Sequence, residues 1–317
     1  MEIRYGRKRS GIKRELNEKI DEWLASITDD EVRLIAYNNT IVTGGAIASM
    51  LLGEKINDFD IYFRTKEAAL VVAQYYVDLY NAKKSNKAEG DKISKDLFVK
   101  EETLVNIKGV SEDRVCIWAK SSGVAIDEPE VPYQYFETRP EGELIEFAED
   151  LIKNKLEEDQ KGKYIPTFLS QNAISLTSKL QIIIRFYGEP NEIHDNYDFA
   201  HAKCYWDHKN KVLDLNPKAM ESLLSRTLVY EGSLYPIASI FRMKKFIERG
   251  WRITAGQQLK IMWQISEINM TDMTVLREQL TGVDMAYMYQ LLDALKSVDA
   301  EKVNSTYIAT IIDRIFE

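Results

Sequence analysis

Cysteine, histidine and proline are scarce in this chain: two, three and seven residues out of 317. Cys116 and Cys204 stand far apart, each inside a run that reads as a strand, and form no metal-ligand pair. That excludes a disulfide framework and points to a reducing, cytoplasmic setting. The histidines, His194, His201 and His208, are spaced by seven, which does not match a compact zinc site. Long apolar runs are missing as well. Stretches such as LQIIIRFYGE are short and interrupted, so no membrane span is expected. The first residues, MEIRYGRKRSGIKR, lack the apolar segment of a secretory signal. There is no Walker lysine motif, which argues against a P-loop ATPase, and the SSG and EGS pieces lack a nucleophile-elbow context.

What is present is an ordinary globular composition, 45% hydrophobic and 29% charged, with a net charge of −8 that excludes a generic polyanion binder. The charge is segregated. Residues 1–14 hold Arg4, Arg7, Lys8, Arg9, Lys13 and Arg14 against Glu2 alone. Residues 235–252 hold Arg242, Lys244, Lys245, Arg249 and Arg252 against Glu248, whereas 126–150 carry nine acids and one arginine. Such clustering allows local contact with phosphates on an otherwise acidic protein, although solvated faces give the same pattern.

Apolar positions Ile12, Leu16, Ile20, Trp23 and Leu24 recur at helical spacing and predict a helix over 11–27. IAYNNTIVTGG then reads as a strand ending in a turn, AIASMLLG as a short helix closed by Gly53, NDFDIYF as a strand and KEAALVVAQYYVDLYNA as a helix. LVNIKG and RVCIWAKSSG read as a strand pair. DEPEVPYQYFETRPEGE, with three prolines, reads as a surface excursion, and IEFAEDLIKNKLEE as a helix. NAISLT, KLQIIIRFYG and YDFAHAKCYWD are β-type runs that extend the sheet. From Pro217 onward the pattern turns helical, through ESLLSRTL, IASIFRMKKFIERG, AGQQLKIMWQISEI and three further runs. The expected organisation is a basic arm and helix over 1–30, an α/β domain over 31–215 and a helical domain over 216–317.

The stretch IVTGGAIASMLLGEKINDFDIYF places Asp58 and Asp60 at positions i and i+2, on one face of a strand otherwise made of Phe, Ile and Tyr. Two carboxylates so placed repel each other and cannot be buried bare without a large desolvation cost. A hard divalent ion, Mg²⁺ or Mn²⁺, relieves both problems and bridges to triphosphate oxygens. Gly44 and Gly45, between a strand and a helix, allow backbone N–H groups to approach a phosphate at a helix N-terminus.

GGAIASMLLGEKINDFDIYF resembles the signature of the polymerase-β-like nucleotidyltransferases, in the class of CCA-adding enzymes and bacterial poly(A) polymerases. The resemblance covers about 20 residues. It implies an α+β fold: a nucleotidyltransferase domain with a mixed sheet, followed by a helical C-terminal domain. It implies that Asp58 and Asp60 hold catalytic metals and that Gly44 and Gly45 face the phosphates of an NTP. IASIFRMKKFIERGWRI is similar to the basic helix that follows in that class, with Arg242, Lys245 and Phe246 matching an Arg-x-x-Arg-Phe run; core packing of that helix explains its apolar positions equally well. Ala48-Ser49 stand where the class carries Arg-Asp. RFYGEPNEIHDNYDFAHAKCYW is similar to segments of phage-encoded nucleotidyltransferase-like proteins.

A two-metal site requires a third carboxylate on a neighbouring strand. Asp198, an acid entering a strand between large apolar neighbours, is the first candidate, and Glu137 another. Gln181 occupies the slot where an acid is expected if its strand is the equivalent one, and then the set is incomplete. Two functions follow: transfer of NMP from an NTP to a hydroxyl, with an RNA 3′ end as one acceptor, or a binding or assembly protein that keeps the fold without turnover.

Overall fold

The computed structural model describes residues 6–85, 97–105, 111–119 and 162–269, together with Val275, Gln279 and Thr310. Glu137, the acidic excursion, the helix expected after it and, apart from Val275, Gln279 and Thr310, the last three helical runs lie outside the described residues.

Helix α1 (Arg9–Ser26) buries Ile12, Leu16, Ile20, Trp23 and Leu24, the stripe its 3.6-residue period dictates. Burying each is worth about 2 kcal/mol by transfer. Trp23 still needs a partner for its indole N–H, and donates to the Tyr76 hydroxyl at 2.8 Å. A second helix follows where the sequence suggested a strand. In α2 (Asp30–Asn39) the Asp29 carboxylate caps the start by accepting from the Glu31 and Val32 N–H groups at 2.9 and 3.0 Å. Asp30 and Glu31 add favourable charge to its first turn. The capping acid outweighs the β-branched character of the run, and only β1 (Thr40–Thr43) is extended.

Strand β1 leads into α3 (Gly45–Leu52), which Gly53 closes in the left-handed conformation, with φ 67° and ψ 26°. Then come β2 (Phe59–Phe63) and α4 (Lys66–Ser85). The hairpin of β3 (Leu97–Val105) and β4 (Ser111–Ala119) forms its own two-stranded sheet; β3 begins earlier than the LVNIKG run suggested. Three further strands, β5 (Pro166–Leu169), β6 (Ala173–Leu176) and β7 (Leu180–Tyr187), precede a short helix α5 (Pro190–His194). A 3₁₀ turn over Ala200–Ala202 stands before β8 (Tyr205–Asp207) and β9 (Val212–Asp214), so YDFAHAKCYWD is extended only at its end.

The main sheet has seven strands in the order β5-β6-β7-β2-β1-β8-β9. It is mixed, because β2 pairs with β7 in parallel and the other pairs are antiparallel. The fold is therefore α+β. The remaining described elements are α6 (Pro217–Ser225), α7 (Pro236–Glu248) and α8 (Ala255–Ser266), with a two-residue parallel pair of β10 (Thr227–Leu228) and β11 (Arg252–Ile253). Arg226, at φ 47°, ends the helical run and turns the chain into β10.

By internal contact the chain forms two compact units. One comprises Met1–Asp195 and Ala202–Pro217, the other Asn196–His201 and Lys218–Glu317. Among the described residues no helix is long and apolar enough to cross a membrane.

Candidate functional site

Directly paired residues of neighbouring strands project to the same face, so register decides what shares that face. One row across the main sheet reads Ile174, Ile182, Ile61, Val42, Trp206, Leu213. Every member is buried, at no more than 1% exposure. The adjacent row, on the opposite face, reads Ser175, Gln181, Asp60, Thr43, Tyr205, Asp214. Every one of those positions is polar or carries a hydroxyl. Six neighbouring strands thus place a polar residue at the same level of the sheet, directly beside a level that is wholly apolar.

Asp60 lies inside this row and Asp58 just before β2 begins. By surface area Asp60 is half-buried and Asp58 exposed. The protein around the Asp60 carboxyl strips it of water, and this, followed by the negative charge of Asp58, pushes its pKa up to about 8. Asp60 therefore resists ionisation. Phe59, Ile61 and Phe63 are buried and fix the strand.

The turn between β1 and α3 is held from several sides. Gly44 has φ 98° and ψ −152°, a conformation closed to residues with a Cβ. Its N–H donates to the Ala202 carbonyl at 3.1 Å, so this group anchors the turn to the chain before β8 and is not presented to a ligand. Gly45 opens α3, and a Cβ built there meets nothing within 4 Å. No side chain caps this helix, which leaves its first turn suited to an anion. Thr43, fully buried, donates its hydroxyl proton to the Cys204 carbonyl at 2.9 Å and lies 2.8 Å from His194 Nε2, which then acts as donor. The His194 ring also packs edge-on against Tyr205, with centroids 6.0 Å apart.

Two carboxylates beside an uncapped helix fit a Mg²⁺–phosphate group, because Mg²⁺ binds through one or two carboxylates and completes its shell with phosphate and water. A larger set is not present: among the described residues no group of three or more His, Cys, Asp or Glu could hold a metal ion. Gln181 is the register partner of Asp60 on β7.

The other sequence candidates among the described residues belong to the second unit. Asp198 belongs to the second unit and sits beside an isolated bridge between Phe199 and Tyr230, outside the main sheet. Its carboxylate accepts from Arg242 Nη1 at 2.6 Å. Arg242 is thereby engaged within α7, while Lys245 is exposed in the last turn of that helix. His201 packs against Phe246 and Trp251, with ring centroids 4.4 and 4.7 Å away, and burial lowers its pKa to about 4. Thr43, His194 and Tyr205 were not singled out as site residues from the sequence. The available signal was polar residues at matched levels of otherwise apolar strands, and only the pairing register reveals it.

A family model described as "Gad2: Gabija anti-defense 2 family protein" matches residues 14–226, more than half of the chain. No curated protein matches the sequence. Among solved structures, a Thermotoga maritima CCA-adding enzyme complexed with tRNA is similar at 13% identity and a TM-score of 0.39. A CCA-adding enzyme in complex with CTP is similar at 14% identity and a TM-score of 0.37. Each match covers 93% of this chain and 53% of the solved one, so the chain spans about half the length of those enzymes. Scores of this size carry no functional weight, and the site stands on its own register and contacts.

Proposed function

Because this chain belongs to the Gabija anti-defense 2 family, we propose that it counters the Gabija defence by a metal-dependent nucleotidyl transfer at the Asp58/Asp60 site. The observation that carries the reading is Asp60 itself, a desolvated carboxylate with a like-charged neighbour in the middle of a polar cross-strand row. A divalent cation held by Asp58 and Asp60 would neutralise the pair and polarise the phosphate oxygens of a bound NTP. The rest falls to the chain. The uncapped first turn of α3 receives phosphate charge, and the open space over Gly45 lets the phosphate come close. Thr43, clamped by His194 and Cys204, holds the turn in register with Asp60. An acceptor hydroxyl gives up its proton to water as its oxygen bonds to the α-phosphorus, the bond from that phosphorus to the α,β-bridging oxygen breaks, and pyrophosphate leaves with the electron pair. An RNA 3′ end is the first acceptor to test.

A second reading is nucleotide binding without turnover, and one observation favours it: the neighbour of Asp60 on β7 is an amide, Gln181. One experiment separates the two. The protein is incubated with each α-³²P-NTP, Mg²⁺ or Mn²⁺ and a mixed RNA pool, beside Asp60→Ala. Label on RNA with the wild type alone supports transfer. No label, with an NTP-dependent rise in Tm that Asp58→Ala/Asp60→Ala removes, supports binding without turnover. A rise in Tm that survives in the double variant sinks both.

A further inference from the structure

We infer that Gln181 limits the carboxylate site to a single divalent cation. This rests on the reading of Asp58 and Asp60 as metal ligands and goes beyond it by fixing how many ions they hold.

Two-metal sites share ligands between ions about 3.5–4 Å apart, and their carboxylates come from neighbouring strands or helices. Asp60 has two lateral neighbours at its level, Thr43 and Gln181. Strands run about 4.8 Å apart, so these are the side chains on the sheet best placed to share an ion with it. Thr43 is neutral, and its hydroxyl is engaged by Cys204 and His194. Gln181 is neutral too, and its amide oxygen is a far weaker ligand for Mg²⁺ than a carboxylate. The next acid along the row, Asp214, lies three strands from Asp60, roughly 14 Å at normal spacing. Asp58 and Asp60 together supply two negative charges, the complement of one divalent ion. A second ion would add two positive charges with no anionic side chain at the positions of the row flanking Asp60 to meet them, and among the described residues no third ligand of the usual kind joins the pair. A glutamate in place of Gln181 supplies the missing charge on the strand next to Asp60, on the same face.

The test is Mn²⁺ binding by the full chain, measured by equilibrium dialysis with electron paramagnetic resonance of the free ion. Counts are taken as the difference from Asp58→Asn/Asp60→Asn, which removes ions held elsewhere on the acidic surface. The expected difference is one Mn²⁺ per chain for the wild type and two for Gln181→Glu. A wild-type count of two overturns the inference and leaves the carboxylates as metal ligands. A Gln181→Glu count that stays at one, in a protein with wild-type circular dichroism, also overturns it. A wild-type count of zero overturns the metal reading itself. Should Gln181→Glu fail to fold, Gln181→Asp takes its place, and the wild-type count decides independently of either. None of these readouts requires turnover.

Discussion

Two aspartates, one in each compact unit, have opposite surroundings. Asp198 faces a guanidinium, Arg242, at 2.6 Å, within a cluster of aromatic rings. Asp60 faces another carboxylate, and its pKa is driven upward by burial and by that neighbour. An acid whose counter-charge is built into the protein needs nothing further, so Asp198 reads as part of the architecture of its unit. An acid whose nearest charge is of the same sign is stable as an anion only when something else arrives. What separates Asp198 from Asp60 is therefore the sign of the neighbouring charge, which residue type alone does not reveal.

The contrast can be broken by substitution. The largest effect is expected at Asp60→Ala, which should lower nucleotidyl transfer by roughly 10²-fold or more, the scale of removing a group that acts on developing phosphate charge. Asp60→Asn measured without divalent ions should go the other way in stability. It removes the cost of desolvating a carboxyl there and of setting it beside Asp58, and a Tm rise on the order of 2–4 °C by calorimetry is expected. A fall in Tm would mean that Asp60 is structural after all.

Acid stability should expose the second unit. His201 is buried and its pKa is lowered from 6.5 to about 4, first by desolvation. The folded state holds it neutral while the unfolded chain takes up a proton below 6.5. Its contribution is therefore complete above pH 6.5 and is lost as pH falls toward 4, in total on the order of 3 kcal/mol. His208, lowered to about 4 by burial and by Lys211, adds a loss of the same sign in the first unit. His201→Phe should flatten the Tm–pH curve of the second unit over that window. An unchanged slope would contradict the buried neutral state.

A smaller effect is expected at Asp198→Ala. Arg242 is partly exposed and can rehydrate, so the cost should be about 1–2 kcal/mol in urea denaturation, with the Mn²⁺ count untouched. A lost Mn²⁺ would place Asp198 at the metal and erase the contrast with Asp60. The glycine turn gives one effect of similar size and the smallest of all. Gly44→Ala must adopt φ near 98° and should cost about 1–3 kcal/mol. Gly45→Ala has open space above it and should alter stability by no more than about 0.5 kcal/mol while weakening the NTP-dependent Tm rise.

Much of this was visible in the residues. The α1 stripe, the Gly53 stop and the apolar strands around Asp60 follow from periodicity and glycine chemistry, because those signals are local. Helix α2 was hidden because IAYNN continues into a β-branched run, and the deciding feature, the Asp29 cap, lies upstream of it. Asp58, Asp60 and the glycines of the proposed site stand out by their spacing in the sequence. The relation of Gln181 to Asp60 does not, since it depends on a parallel pairing between strands more than a hundred residues apart. Nor could the sequence show that the Gly44 N–H binds Ala202, a long-range contact that no motif encodes.

The cross-strand row has a consequence for how such a protein can change. Its members come from six separate strands, so each is encoded independently of the others and rests on a backbone that the apolar row beside it holds in place. Glutamine and glutamate codons differ by a single base. At Gln181, then, one nucleotide separates a neutral level of the sheet from a charged one, with no strand to shift and no core to repack. Selection can retune such a row one mutation at a time, in either direction, while the scaffold beneath it stays the same.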